Sequence, residues 1–136
     1  MVAFGENNQV AAGTDLIHAR SASVLFAYDR SDAQAIDTQV GTLEEIAQAI
    51  RETSTTNPVI VSGFTDEVGS YVYNQELSSE RANTVARLLV EQGIAAQRIE
   101  LHANSKTDIY QQCSSKQRTA KTIECMAPNR RVNIQW

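Results

Sequence analysis

The sequence predicts an α/β two-layer sandwich, and three observations support this fold class. Four short segments rich in β-branched and aromatic residues have the length of strands. Two segments between them repeat apolar residues at helical spacing. The last two strands alternate apolar and polar residues, which leaves one sheet face to water and the other to both helices. With 136 residues, 42% of them hydrophobic, the chain is long enough for one domain with a single core.

The N-terminal residues 1–21 are rich in small and polar types and show no sustained period. We interpret them as a linker or lead-in, and residues 22–136 as the domain. The first strand is predicted at residues 23–28, where Val24, Phe26 and Tyr28 share one face.

A long amphipathic helix is predicted over about residues 33–52. Ser31 and Gln34 have the spacing of a capping box at its start. Its apolar positions then recur every three or four residues, which predicts one buried face. These positions are Ile36, Val40, Leu43, Ala47 and Ile50.

The second strand and the turn after it form the centre of the chain. The β-branched run at residues 59–61 is typical of a buried strand, which we expect to end at Gly63. A polar turn follows with Asp66, and Gly69 can supply the positive φ that such turns often require.

The second helix is predicted to begin at Ser78, whose hydroxyl would cap it, and to end at Gly93. Alternating residues then predict strands at 98–103 and 131–136. The segment between these strands, residues 104–130, holds both cysteines and a short helix near residues 114–123.

Composition argues against several functions. A net charge of -4 disfavours binding to nucleic acid. No apolar run approaches the roughly 18 to 20 residues of a membrane span, so residues 1–136 are not expected to cross a membrane. We see no nucleophile with a base partner and no phosphate-binding loop, so we predict no enzyme, no cofactor and no metal site.

Cys113 and Cys125 are the only cysteines in the sequence. Their number and spacing suit one short-loop disulfide, which would indicate an oxidising compartment. Two unrelated thiols are the alternative. A metal site would lack enough ligands, because no histidines lie nearby.

Asp66 and Arg81 are the charged pair that most clearly predicts a ligand-binding site. A helix N-terminus beside the guanidinium fork of Arg81 suits a carboxylate, and Asp66 suits an ammonium group. A site with these two poles would recognise a zwitterion, such as the end of an amino acid. The alternative is a direct surface salt bridge between the two, worth about 0 to 1 kcal/mol.

Several short motifs occur in a specific order along the chain. They are Gly63-Phe-Thr-Asp66, Gly69, Tyr73-Asn74, Leu77-Ser78, Arg81-Ala82, Gly93-Ile94 and Asn129-Arg-Arg-Val132. Together they resemble the signature of the OmpA-like peptidoglycan-binding domain of Gram-negative bacteria, the C-terminal periplasmic domain of OmpA-type outer-membrane proteins. The resemblance covers about residues 23–136. It extends to the spacing of the two cysteines. Because relatives with this spacing carry a disulfide there, the resemblance implies a disulfide between Cys113 and Cys125.

The resemblance implies a mixed four-stranded sheet with helices on one face, and a pocket for the diaminopimelate of the peptidoglycan stem peptide. By motif position, Asp66 would receive the ligand ammonium and Arg81 its carboxylate. The other implied site residues are Asn74 and Leu77, which would shape the pocket, Thr65, which would support the turn, and Asp29 and Arg130 at the rim, with Arg130 chosen over Arg131.

The function implied is that of a non-enzymatic periplasmic anchor, which holds an outer-membrane or envelope protein to the cell wall. The attachment to the outer membrane would lie outside residues 1–136. The alternative is a protein–protein adaptor of the same fold, with a weakened or lost glycan-peptide pocket, in an envelope secretion, conjugation or motor assembly. Its motivation is the segment 103–112, which lacks the glycine-rich stretch and proline usual in the family. Phe64 is a smaller departure, because that position mainly needs an aromatic ring.

Overall fold

The structure, a computed structural model, describes residues 20–37, 42–53 and 56–136. The linker predicted at residues 1–21 therefore lies almost wholly outside the described residues. The elements along the described chain are β1 (Ser21–Leu25), α1 (Leu43–Arg51), β2 (Val59–Thr65), α2 (Tyr71–Glu91), β3 (Ile99–Lys106), α3 (Ala120–Cys125) and β4 (Arg131–Gln135).

The four strands form one mixed sheet in the order β1-β4-β2-β3. The C-terminal strand β4 is inserted between β1 and β2 and runs antiparallel to both. Strands β2 and β3 are parallel and are connected through α2. The predicted mixed four-stranded sheet is confirmed.

Helices α1 and α2 cover one face of the sheet, as predicted for a two-layer α/β sandwich. Strands β1, β2 and β4 contribute alternate residues to this face, and the helices contribute their apolar stripes. The fully buried aliphatic residues that meet there are Val24, Ile46, Ile50, Val59, Val61, Val85, Leu89, Val132 and Ile134. Burying each such side chain stabilises the fold by about 1.5 to 3 kcal/mol.

The opposite face of the sheet is more polar, but Tyr110 covers part of it. The Tyr110 ring meets Phe64 edge-on, with the ring centroids 6.0 Å apart. The Arg131 guanidinium lies 3.7 Å from the centroid of the same ring, and Asn133 Nδ2 donates to the Tyr110 hydroxyl at 2.7 Å. The segment after β3 therefore folds over this face, so the face is only partly open to water.

The prediction of one helix over residues 33–52 is wrong. Ala33–Ala35 form a single 3-10 turn, and Ile36 is extended and bridges to Phe26. Helix α1 begins only at Leu43, where Thr42 and Glu45 form a complete capping box. This reciprocal pair satisfies two free N–H groups at the helix start and fixes the helix there, so the Ser31 and Gln34 pattern does not mark its beginning. Val40 lies outside the described residues.

The predicted start of the second helix is also wrong, because α2 begins at Tyr71 with Ser70 as its N-cap. Ser78 lies inside the helix and is fully buried. Its hydroxyl donates to the Gln75 carbonyl and accepts from Ser105 N–H, so it holds the end of β3. Arg81 consequently lies near the middle of α2, away from the positive end of the helix dipole.

Strand β2 and helix α2 approach each other closely at Gly63. A Cβ at this position would lie 2.1 Å from the Ser78 carbonyl oxygen, so only glycine fits. Gly93, with φ of +100°, ends α2 near the predicted position.

The remaining boundaries differ modestly from the predictions. Strand β1 begins at Ser21 and ends at Leu25, and α3 spans Ala120–Cys125. Strand β3 continues to Lys106, beyond the predicted residue 103. The continuation contains a register shift against β2 and places Ser105 at φ of 59°. Ser105 is fully buried and donates to the Tyr71 carbonyl, which holds this uncommon conformation.

The predicted disulfide between Cys113 and Cys125 is present. It closes the segment that carries α3. In the described parts of the chain, no helix is both long and apolar enough to cross a membrane.

Candidate functional site

An open cleft lies where β2 ends, α2 begins and the turn after β1 passes over both. The empty space within its lining, which includes open solvent, is about 300 Å³. Its lining combines carboxylates, guanidinium groups and aromatic rings. The lining residues are Tyr28, Asp29, Thr65, Asp66, Val68, Gly69, Tyr73, Asn74, Leu77, Arg81 and Arg118. Six of the seven residues predicted for the ligand site, all except Arg130, line this cleft.

Asp66 forms the acidic part of the cleft floor and is only 3% exposed. One carboxylate oxygen accepts from Val68 N–H at 3.0 Å. The other accepts from Arg130 Nη1 at 3.3 Å. Asp66 follows β2 directly, so the sheet fixes its backbone and these two contacts fix its side chain.

Arg81 forms the basic part of the floor and is fully buried. Its guanidinium donates to three backbone carbonyls, those of Arg30 at 2.8 Å, Phe64 at 3.0 Å and Ala27 at 3.2 Å. It also lies 5.3 Å from the centroid of the Phe26 ring.

Burial lowers the pKa of Arg81 from 12.5 to about 10, although the nearby charge of Asp66 opposes the shift. The group therefore stays protonated at neutral pH. Among the described residues it forms no ion pair, so the alternative of a direct Asp66 to Arg81 salt bridge is wrong. A buried cation of this kind favours an incoming anion.

Thr65, Asn74 and Leu77 support and line the cleft. The Thr65 hydroxyl donates to the Asp66 carbonyl at 2.9 Å. Asn74 Nδ2 donates to the carbonyls of Val68 and Ser70, both at 2.9 Å, and so ties the turn to the first helical turn of α2. Leu77 supplies an apolar wall.

Asp29 stands at the exposed mouth of the cleft. Its backbone has φ of 58°, which aspartate tolerates better than most residues. Its carboxylate accepts a hydrogen bond from the Tyr73 hydroxyl, and this bond raises the pKa of Tyr73. The contact joins the turn after β1 to the start of α2.

Arg130 does not line the cleft but lies behind Asp66. Besides its contact with Asp66, it donates to the carbonyls of Phe26 at 3.1 Å and Ile123 at 2.8 Å. Its guanidinium is 5.9 Å from the centroid of the Tyr28 ring. The structure therefore places Arg130 as a support for Asp66 and not at the rim predicted from sequence.

Five residues of the cleft were not assigned to the site from sequence. Tyr28, Val68, Gly69 and Tyr73 lie within two positions of a predicted site residue or within the quoted motifs, so chain proximity was an available signal. Arg118 had no such signal, because it lies 37 positions beyond Arg81. It reaches the cleft through the folding of the segment closed by the disulfide.

The cleft presents both kinds of charge, with the carboxylates of Asp29 and Asp66 and the guanidinium groups of Arg81 and Arg118. In the part of the chain that the structure describes, no group of three or more metal-ligating side chains occurs. The geometry suits a small ligand that carries both an ammonium and a carboxylate group.

A sequence model of the OmpA family matches residues 25–122. Outer membrane protein A of Shimwellia blattae is 39% identical over 79 residues, which are 57% of this chain and 33% of that protein. The matched part thus spans a third of the length of this relative.

Two solved structures share the fold over most of the chain. The peptidoglycan-associated lipoprotein of Burkholderia pseudomallei has a TM-score of 0.67 at 23% identity, over 90% of this chain and 93% of that one. The cell wall anchor of the T6SS of Pseudomonas aeruginosa has a TM-score of 0.56 at 27% identity, over 84% of this chain and 78% of that one. The first likeness, at this identity, supports the fold alone.

Proposed function

The chain belongs to the OmpA family, and we propose that it binds peptidoglycan non-covalently through the diaminopimelate of the stem peptide. In this proposal it is a non-enzymatic anchor that holds an envelope protein to the cell wall of a Gram-negative bacterium. It would act in the periplasm, attached to the outer membrane through a segment outside residues 1–136.

The observation that carries the proposal is the placement of Asp66 and Arg81 in one cleft. The side chain of diaminopimelate ends in an ammonium group and a carboxylate on one carbon. Asp66 would accept from the ammonium and Arg81 would donate to the carboxylate. A guanidinium has five N–H donors and three of those of Arg81 contact backbone carbonyls. Two donors are therefore left for a ligand.

Three further features agree with a wall anchor. The disulfide suits an oxidising compartment such as the periplasm. Two proteins of the same fold are described as peptidoglycan-associated and as a cell wall anchor. One small cleft gives modest affinity, but a repeating polymer and a tethered protein raise the effective concentration.

Calorimetry with soluble peptides tests the two poles of the site separately. One peptide is L-Ala-γ-D-Glu-diaminopimelate, and the other has lysine in place of diaminopimelate, which keeps the ammonium but lacks the carboxylate. We expect the lysine peptide to bind at least about tenfold more weakly, because it leaves Arg81 unpaired. Equal binding of both peptides would contradict the role of Arg81.

The acidic pole is tested with Asp66→Asn, which keeps an acceptor for Val68 N–H but removes the charge. We expect this variant to lose binding to the diaminopimelate peptide and to purified sacculi. Asp37→Asn is the matched control, because Asp37 is an exposed carboxylate outside the cleft. Absence of binding by the unmodified chain would instead favour the adaptor alternative.

A further inference from the structure

We propose that Arg118 is a second ligand-binding cation, which takes a further carboxylate of the same peptide at the mouth of the cleft. This inference rests on the proposed function. It assigns a binding role to a residue outside the quoted sequence motifs and to the segment closed by the disulfide.

Arg118 is a cleft residue whose guanidinium has no partner in the described part of the chain. It lines the cleft and is exposed. Within the described ranges it forms no hydrogen bond or ion pair. Arg81 and Arg130, by contrast, each donate to backbone carbonyls from buried positions. Arg118 is therefore the guanidinium at this site with its full set of donors available for a ligand.

The fold holds the Arg118 segment at the cleft. The disulfide closes the segment at both ends. Lys116 pairs with Glu67, the residue after Asp66, at 3.2 Å. Arg130 binds the Ile123 carbonyl at 2.8 Å and Asp66 at 3.3 Å, so it connects α3 to the cleft floor. Arg118 thus faces the site from an element independent of β2 and α2.

The charge of the proposed ligand provides a partner for Arg118. A stem peptide carries carboxylates besides the zwitterionic end of diaminopimelate, namely the α-carboxylate of γ-linked glutamate and the C-terminal carboxylate. Either would extend toward the mouth once the zwitterion occupies the floor. A guanidinium fork can bind either one in bidentate fashion. Because the contact is exposed, we expect it to strengthen binding only about three- to tenfold and to weaken with salt.

The experiment is calorimetric titration of the L-Ala-γ-D-Glu-diaminopimelate peptide into Arg118→Gln. We expect about three- to tenfold weaker binding than in the unmodified chain. Lys121→Gln is the matched control, because Lys121 is an exposed cation on α3 that does not line the cleft. It should bind as the unmodified chain does. Arg118→Gln binding as tightly as the control would overturn the proposal.

Two amidated peptides identify the carboxylate. In one the glutamate α-carboxylate is an amide, and in the other the C-terminal carboxylate is. The amidated peptide that lacks the partner of Arg118 should bind the unmodified chain about three- to tenfold more weakly than the parent peptide does. It should bind Arg118→Gln as tightly as the parent peptide binds that variant. If the affinity losses caused by amidation and by Arg118→Gln simply add for both peptides, Arg118 does not contact either carboxylate directly.

Failure of this inference and failure of the proposed function give different results. If Asp66→Asn loses binding while Arg118→Gln does not, the anchor proposal stands and the role of Arg118 is wrong. If Asp66→Asn binds normally, the proposed function itself is wrong. Thermal unfolding of both variants checks that each remains folded.

Discussion

At the scale of single residues, Arg81 contributes to both the fold and the proposed site. Its guanidinium joins the turn after β1, through Ala27 and Arg30, to the end of β2, through Phe64. Removing the side chain would leave these three carbonyl oxygens without the hydrogen-bond donor that they have in the folded protein. The cleft therefore depends on Arg81 for its shape as well as for its charge.

Arg81→Ala is predicted to destabilise the domain by about 3 kcal/mol, because three carbonyls lose their donor. The midpoint of thermal unfolding should fall by about 10 °C. Arg87→Ala on the exposed side of α2 is the matched control and should change stability by less than about 0.5 kcal/mol. Urea unfolding of both variants gives the comparison, and equal stabilities would show that the carbonyl contacts contribute little.

Tyr73 gives a prediction for alkaline pH. Its hydrogen bond to Asp29 raises the pKa of the phenol above the ordinary value of 10.0. Above pH 10 the folded state therefore keeps this proton longer than the unfolded state does. The stabilising contribution of Tyr73 is present below pH 10 and is lost as the pH rises through the folded pKa.

Ultraviolet titration measures this pKa as the difference between the unmodified chain and Tyr73→Phe. We expect the Tyr73 phenol to ionise above pH 10, and its pKa to move down toward 10.0 in Asp29→Asn. A Tyr73 pKa at or below the ordinary value would show that the contact across the mouth does not persist in solution.

Asp66 and Arg81 were predictable as neighbours in one cleft, but the residues that surround them were not. Motif position placed Asp66 and Arg81 together, and both lie on the cleft floor. The partners of Arg81 come from the turn after β1 and from β2, and no local pattern connects those segments. The pairing of Asp66 with Arg130 likewise depends on β4 lying next to β1 and β2 in the sheet.

At the scale of elements, the closest contact is the crossing of β2 and α2 at Gly63. A methyl group there would collide with the Ser78 carbonyl, which is backbone and cannot rotate away. The helix would have to move off the sheet, and both elements carry cleft residues. Gly63 therefore fixes the spacing on which the site depends.

Gly63→Ala is predicted to destabilise the domain by about 3 kcal/mol or more, because it forces overpacking between backbone segments. Ser62→Ala is the control at the neighbouring β2 position on the opposite face. Circular dichroism during urea unfolding measures the difference. A Gly63→Ala domain with the stability of the control would mean that α2 shifts at little cost.

The predicted starts of both long helices were wrong, because the apolar pattern did not mark the first helical residue. The apolar stripe of α2 becomes regular only near Ala82, while the first turn exposes Tyr71, Val72 and Tyr73. Periodicity therefore suggested a late start, although Ser70 is a favourable N-cap. In α1 the apolar period continued through Ile36, but that residue pairs with Phe26. A tertiary contact of this kind has no local signature.

At the scale of the whole molecule, the two-layer architecture was predictable but the strand order was not. Helical and strand periodicities report which face of each element is buried. They do not report which strands are neighbours, and β4 enters between β1 and β2 after the long segment that carries the disulfide. The position of that segment, and with it Arg118, follows from this arrangement.

The disulfide is predicted to stabilise the whole domain, because it links two residues 12 positions apart and limits the freedom of the unfolded chain. Loop-closure entropy gives about 3 kcal/mol for a loop of this size. The Cys113→Ala/Cys125→Ala double variant should therefore unfold at a temperature about 10 °C lower. Thermal unfolding with and without a reductant measures this.

Reductant should lower the midpoint of the unmodified chain to that of the double variant and leave the double variant unchanged. The peptide affinity of the double variant should fall no further than that of Arg118→Gln. Asp66 and Arg81 lie on β2, α2 and the turn between them, outside the segment that the disulfide closes. Loss of binding well beyond that of Arg118→Gln would mean that the disulfide also positions the cleft floor, through Arg130 and its contact with Ile123. An unchanged midpoint would show that the folded contacts of the segment, and not its closure, maintain stability.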